Sequence, residues 1–351
     1  VKATGDNQAR SQADAATGGL VAVTVPIASS IASPTLTARL DGNATLSGDI
    51  VVDVDSKGRA DAETFAVSGG LAGVGSMTSV ATVSPTIVSA VGNAAIVAAS
   101  LTVRGRHNFE TDKNQYRARA KTKAAGVAGL GVQINASTAN ASANLDSYID
   151  SGADVTTTAG VAITASGVNR ATAFTDGLNV GILVAVGVTD SFANANGVSK
   201  AGIRDSGTVS ATPDFTVGGL TINATSQDSA NARVEAAGGG LVNAAVNNAE
   251  AKTNPDVEAY IGEKTSILST GTVSVTALAD PEADGKTKGT GGGFVSVSSS
   301  ESDVEVKPDV TAKIRSGSVI ATTGTDSKVT VEASAVPQSG STPTYLITSP
   351  S

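Results

Sequence analysis

The sequence predicts an all-β protein, an elongated parallel β-solenoid (β-helix) of about six repeats of about 55 residues each. Three observations carry this expectation. A short motif ending in an aliphatic residue recurs six times, an alternating apolar triplet follows each copy, and large aromatic side chains are nearly absent. Internal periods of this length mark repeat architectures, in which each unit buries its apolar face only by stacking on its neighbours.

Proline marks the first element. Pro34 opens PTLTARL, Pro85 opens PTIVSAV, Pro255 opens PDVEAYI and Pro308 opens PDVTAKI, and two further copies, NLDSYI and GVSKAGI, keep the ending without the proline. The closing residues are Leu40, Val91, Ile149, Ile203, Ile261 and Ile314, spaced by 51, 58, 54, 58 and 53 residues. These six are the expected structural anchors of the repeat.

The second element is a strand with period-two alternation, which puts every other side chain on one face. It reads Ile50-x-Val52-x-Val54, Leu101-x-Val103-x-Gly105, Val161-x-Ile163-x-Ala165, Leu220-x-Ile222-x-Ala224, Val273-x-Val275-x-Ala277 and Val329-x-Val331-x-Ala333. Val273, Val275 and Ala277 are expected to point inward, with Ser274 and Thr276 in water. The third element is a run of small alternating residues, such as Arg59-Ala60-Asp61-Ala62, leading into a glycine cluster and another apolar strand, as in Gly69-Gly70-Leu71. Residues 229–254 are superficially helical, but three consecutive glycines, Gly238 to Gly240, would cost about 1 kcal/mol each inside a helix. The alternative architecture is a string of small antiparallel β-sandwich modules. Whether one repeat makes a single wide coil or several narrow rungs stays open on sequence alone.

Composition fits a thin core. Apolar residues are 40% of the 351, aromatics only 3%, with no Trp and one Met, so the interior must be Ala, Val, Ile and Leu. The expected organisation is one repetitive body over residues 1–335, with repeats at 18–66, 67–124, 125–174, 175–236, 237–288 and 289–335, then a Pro/Ser/Thr-rich linker or tail at 336–351. Thirty-two acids against 24 bases give a net charge of −8, which argues against nucleic acid as a partner. Cysteine is absent, which excludes disulfides and thiolate chemistry. The longest apolar run, Val180 to Val188, falls well short of the roughly 20 residues of a membrane-spanning helix. The chain begins at Val1 with no signal peptide in view, so a processed product or an internal fragment is expected.

Chemistry-bearing residues are few. The lone histidine, His107, sits in the most charged stretch, RGRHNFETDKNQYRARAK, and is expected in an exposed loop, since no second His or Cys accompanies it. Arg104, Arg106, Arg117, Arg119, Lys121 and Lys123 in and beside that stretch form a candidate interaction patch for an acidic partner or glycan. Asp53-Val-Asp55-Ser-Lys-Gly58 starts like a calcium loop, but Lys57 takes the third ligand position and Thr64 stands where a bidentate Glu belongs. No catalytic, cofactor-binding or metal residues are assigned; weak calcium binding by surface acids is the one cofactor expectation. No glycine cluster is followed by Lys-Ser/Thr, so no phosphate loop is expected.

The phrases GGLVAV from Gly18, SGADVTTTAGVAITASG from Ser151, PDVEAYIGE from Pro255 and STGTVSVTA from Ser269 resemble large repetitive bacterial surface proteins of the filamentous haemagglutinin and filamentous adhesin type. The likeness runs from about residue 9 to about residue 335. It implies an exported, surface-attached β-helical shaft used in adhesion, aggregation or biofilm. The functional expectation is therefore a non-catalytic structural or adhesive segment of an extracellular, cell-surface fibre. Its expected partners are other copies of itself, further repeats of a longer chain, or a host-cell or matrix glycan or protein. The competing expectation is a self-assembling filament or sheath subunit that polymerises through its β-edges. A polysaccharide-cleaving β-helix enzyme would need acids clustered with Lys or Arg on one face, and no repeat shows that grouping.

Overall fold

The computed structural model describes residues 1–109, 112, 115–206 and 212–336, and among them there are strands, turns and bends but no helix. Of the tail expected at 336–351, residues 337–351 lie outside the described residues. Strands form one 15-stranded and one six-stranded sheet, and every pairing between them is parallel. This overturns the alternative of antiparallel sandwich modules. The segment with helical character, 229–254, lies in strands Leu220–Gly239 and Val242–Thr253; its small residues face a narrow interior that a helix would not fit.

The pairing register makes the sequence period physical. In the six-stranded sheet, Thr35–Leu40, Thr86–Val91, Asn144–Ile149, Val198–Ile203, Asp256–Ile261 and Asp309–Ile314 lie side by side. Leu40 pairs with Val91, Val91 with Ile149, Ile149 with Ile203, Ile203 with Ile261 and Ile261 with Ile314. The four middle residues are fully buried, whereas Leu40 and Ile314, in the first and last strands, are partly covered. The alternating triplets stack in the same way, Ile50 on Leu101, then Val161, Leu220, Val273 and Val329. Each stretch thus meets its partner one sequence repeat later, so a whole repeat occupies a single row.

Each row has two parts. A wider part buries Val, Ile and Leu, among them Val52, Ile87, Val91, Ile96, Leu101 and Val103. From it projects a blade, formed where a strand such as Ile50–Val83 runs out to Gly69-Gly70 and back. Gly70 has φ of 159°, a value that lets the chain turn where a Cβ would lie 2.1 Å from the Gly19 carbonyl oxygen of the row before. The blade interior is alanine: Ala60 and Ala62 pack on Ala81 and Val83, and the following rows repeat the arrangement. The two blade walls stand close enough for Thr64 Oγ1 and Ser79 Oγ to hydrogen-bond across at 2.9 Å.

The pairing also sets the proportions of the described strands. The six strands of the smaller sheet, about 4.8 Å apart, span roughly 24 Å from first to last, while the nine residue steps from Ala60 to Gly69 alone project about 30 Å at about 3.3 Å each. The described body is wider across its rows than it is long down the stack. Row lengths differ most at two places: His107 to Ala118 covers 11 positions where Ser56 to Ala60 covers four, and Ile203 to Phe215 covers 12 where Ile149 to Val155 covers six. Smaller shifts fall between Thr157 and Gly160 and between Gly181 and Val184, and Thr322 to Val329 covers seven where Ser269 to Val273 covers four.

Candidate functional site

The corner where the blade leaves the wide part holds several buried polar groups. His107 ends strand Ala95–His107 and is completely buried, which corrects the expectation of an exposed loop residue. It occupies an inward position of the alternation, directly above Ser56. Its Nδ1 lies 3.3 Å from Ser56 Oγ and its Nε2 3.0 Å from Asn108 Nδ2. Burial, and secondarily the nearby Arg170 charge, lowers its pKa to about 3, so the ring is neutral. A serine–histidine contact is the start of a nucleophilic pair, but both side chains are sealed from any substrate.

The same corner explains where the proline was lost. Thr86, Asn144, Val198, Asp256 and Asp309 donate their backbone N–H to the carbonyls of Pro34, Pro85, Ala143, Gly197 and Pro255, so those five acceptors hold equivalent places. Proline has no N–H to satisfy. Where Ala143 and Gly197 replace it, the new N–H donates to Asn169 Oδ1 at 2.9 Å and to Asp228 Oδ2 at 3.3 Å, each supplied by the next row. Asn169 Nδ2 also donates to Asp228 Oδ1 at 2.6 Å and Ser226 Oγ to Oδ2 at 3.1 Å. Pro281 pairs with Asp228, one row above Pro255, where nothing needs capping. Burial pushes the Asp228 carboxyl up to about 7, against the pull of its Asn169, Ser226 and Gly197 donors. Neither Asn169 nor Asp228 was selected from the sequence; the missing proline one row earlier was the available signal.

The candidate interaction patch is only partly exposed charge. Arg104 and Arg106 lie on a strand above Asp53 and Asp55, with Arg104 Nε 2.9 Å from Asp53 and Arg106 Nη2 3.4 Å from Asp55. Lys121 Nζ is 3.0 Å from Glu63, and Arg119 stacks on Asp61 in register. Burial raises the Asp53 carboxyl, but the Arg104 hydrogen bond and the charges of Arg104 and Arg106 bring it below the usual carboxylate range. Arg117 is half-buried and its pKa is lowered by desolvation. Lys123 extends the row above Phe65. One basic row therefore lies on one acidic row, and the acids that resemble a calcium loop are occupied by arginine. Lys113 of the charged stretch lies outside the described residues.

On the outer face of the six-stranded sheet, Arg204 lies 3.4 Å from the centre of the Tyr148 ring and Arg315 4.7 Å from that of Tyr260. The Tyr260 ring covers Gly202, where a Cβ would meet it at 2.7 Å. Arg204 also bonds Asp146 and Arg315 bonds Asp205 and Glu258, so this face is braced down the stack by internally matched charge.

Toward the blade tip, alanine gives way to buried amides, each opposite a glycine. A Cβ on Gly131 would lie 2.6 Å from Asn179 Oδ1, one on Gly177 3.0 Å from Asn135 Nδ2, and one on Gly289 2.7 Å from Asn247 Nδ2. Asn135, Asn179 and Asn247 line an interior cavity of about 20 Å³, and their Oδ1 atoms have no hydrogen-bond partner among the described residues. That volume is on the scale of one water molecule. A second opening, a shallow groove of about 310 Å³ beside Ser100, Gly160, Gly219 and Thr272, is open to solvent. Neither opening is lined by a titratable side chain. Among the described residues no three His, Asp or Glu side chains stand together as a metal site, and no helix is long and apolar enough to cross a membrane.

Fold and side chains together define an all-β protein of long parallel strands with a β-helix-like pairing pattern. Compared with known proteins, the chain matches no family model, no curated protein and no solved structure.

Proposed function

We propose that the chain is a β-solenoid of six one-row repeats and that it serves as a non-catalytic structural or adhesive segment of an extracellular bacterial surface fibre. The observation that carries this reading is the unbroken column Leu40, Val91, Ile149, Ile203, Ile261, Ile314, paired strand to strand through the body. Such a stack transmits force and shape along its axis, and its charged side chains are used to tie row to row. The resemblance to filamentous surface adhesins supports the same reading. Small-angle scattering of the purified chain tests the architecture: a slab about 24 Å thick and more than twice as wide is expected, and a compact globule would sink it. Adhesion is tested by binding of the chain to a glycan array and to matrix proteins; loss of cell attachment on deleting the segment is the expected result.

The second reading, a self-assembling sheath or filament subunit, is favoured by the width of each row. A repeat of about 55 residues that adds only about 4.8 Å of length builds broad sides more efficiently than it builds reach. Negative-stain images separate the two: isolated slabs at all concentrations favour the fibre segment, and polymers that grow with concentration favour the subunit.

A further inference from the structure

The outer face of the returning blade wall carries an apolar stripe. Val21, Ala72, Leu130, Val184, Val242 and Val295 stand in register, one per row. Two residues further on, the column from Val23 to Val297 is valine in five of its six rows and alanine in the other. At the turn itself Leu71, Ile182, Leu241 and Phe294 are 65%, 73%, 54% and 89% exposed. No Asp, Glu, Lys, Arg or His occurs at 17–26, 64–83, 124–144, 177–189, 236–249 or 289–300, the segments that form this edge. In a chain of net charge −8 whose other faces carry charge, contiguous neutrality in every row is a property of this edge. Scattered surface aliphatics need no explanation; a continuous patch of this kind marks a contact.

We infer that this stripe is a docking surface for a second copy of the chain, which packs blade on blade about a two-fold axis. The footprint is roughly 24 Å down the stack by about 20 Å across six residues, on the order of 500 Å² per copy. The pair would bury about 1,000 Å² in total, which is what a specific association must clear. A two-fold mate presents the same columns at the same row spacing, so ridges of one stripe seat between ridges of the other along their whole length. A lipid surface would also accept aliphatic side chains, but it has no periodicity to match and the acidic chain brings no basic residue to this edge.

The inference rests on the stacked-row reading and is tested apart from it. Sedimentation velocity of the purified chain from micromolar to several hundred micromolar should show mass moving from one copy to two. Leu130→Lys with Val242→Lys, both outward-facing, should weaken that association more than tenfold and leave circular dichroism and thermal unfolding unchanged. Thr37→Lys with Thr221→Lys, exposed elsewhere, should leave it intact. A chain that stays monomeric throughout, or a Leu130/Val242 variant that associates like the parent, overturns the inference. So does a monomer that floats with neutral phosphatidylcholine vesicles, which would assign the stripe to lipid. Scattering from the Leu130/Val242 monomer reports the slab independently, so failure of the row architecture and failure of the docking surface give different results.

Discussion

His107 and Asp228, both buried in one corner, tie stability to pH in opposite senses. His107 has a folded pKa near 3 against 6.5 for the free side chain. The unfolded chain therefore takes up the proton first, and the contribution is fully present above about pH 6.5 and lost as pH falls toward 3. Asp228 is raised from 3.8 to about 7, so its contribution is fully present below about pH 3.8 and lost as pH rises through 7. Urea unfolding across this range should show that His107→Gln flattens the acid limb and Asp228→Asn flattens the loss toward neutrality; an unchanged profile for either variant would contradict the assignment. The caps give a second residue-scale prediction. Asn169→Ala strands the Ala143 N–H and should cost about 1–3 kcal/mol. Adding Ala143→Pro, which restores the residue found at Pro34, Pro85 and Pro255, should recover part of that cost in a double-mutant cycle, because there is then no donor to satisfy.

The elements were legible in the sequence to the degree that their cause is local. Alternation at Val273, Val275 and Ala277 is a property of one strand, and those residues are fully buried in the structure. His107 was misplaced for the complementary reason: its charged neighbours suggested solvent, but the parity counted from Leu101 and Val103 already put it inward. The blade could not be read at all, because which alanine faces which is decided by two walls meeting across Gly69-Gly70. Its amide and glycine pairs are a cross-wall property too. Gly131→Ala forces a Cβ onto the Asn179 amide oxygen and should lower stability by about 1–3 kcal/mol, the range of an overpacked interior. Gly131→Ala with Asn179→Ala should regain most of that in denaturant titration, and additive losses would show that the two do not share a space.

For the whole molecule, the period was visible and the shape was not. Six anchors at regular steps say that units stack, but the number of rungs in each unit depends on where the chain turns, which a period alone does not fix. A core that runs through all rows makes one inward position a concern of its neighbours. Ile261, fully buried between Ile203 and Ile314, should lose several kcal/mol on replacement by Asp, which leaves a buried charge unpaired. Calorimetry should record this as a shift of the main transition; a small effect would mean that Ile261 does not face the core.

The two longest insertions, after His107 and after Ile203, lie between strands that keep their partners on either side. Added residues there never reach the alternation, so no side chain changes face. Such positions are natural sockets: a foreign loop grafted at either place is expected to leave the flanking strands paired as they are.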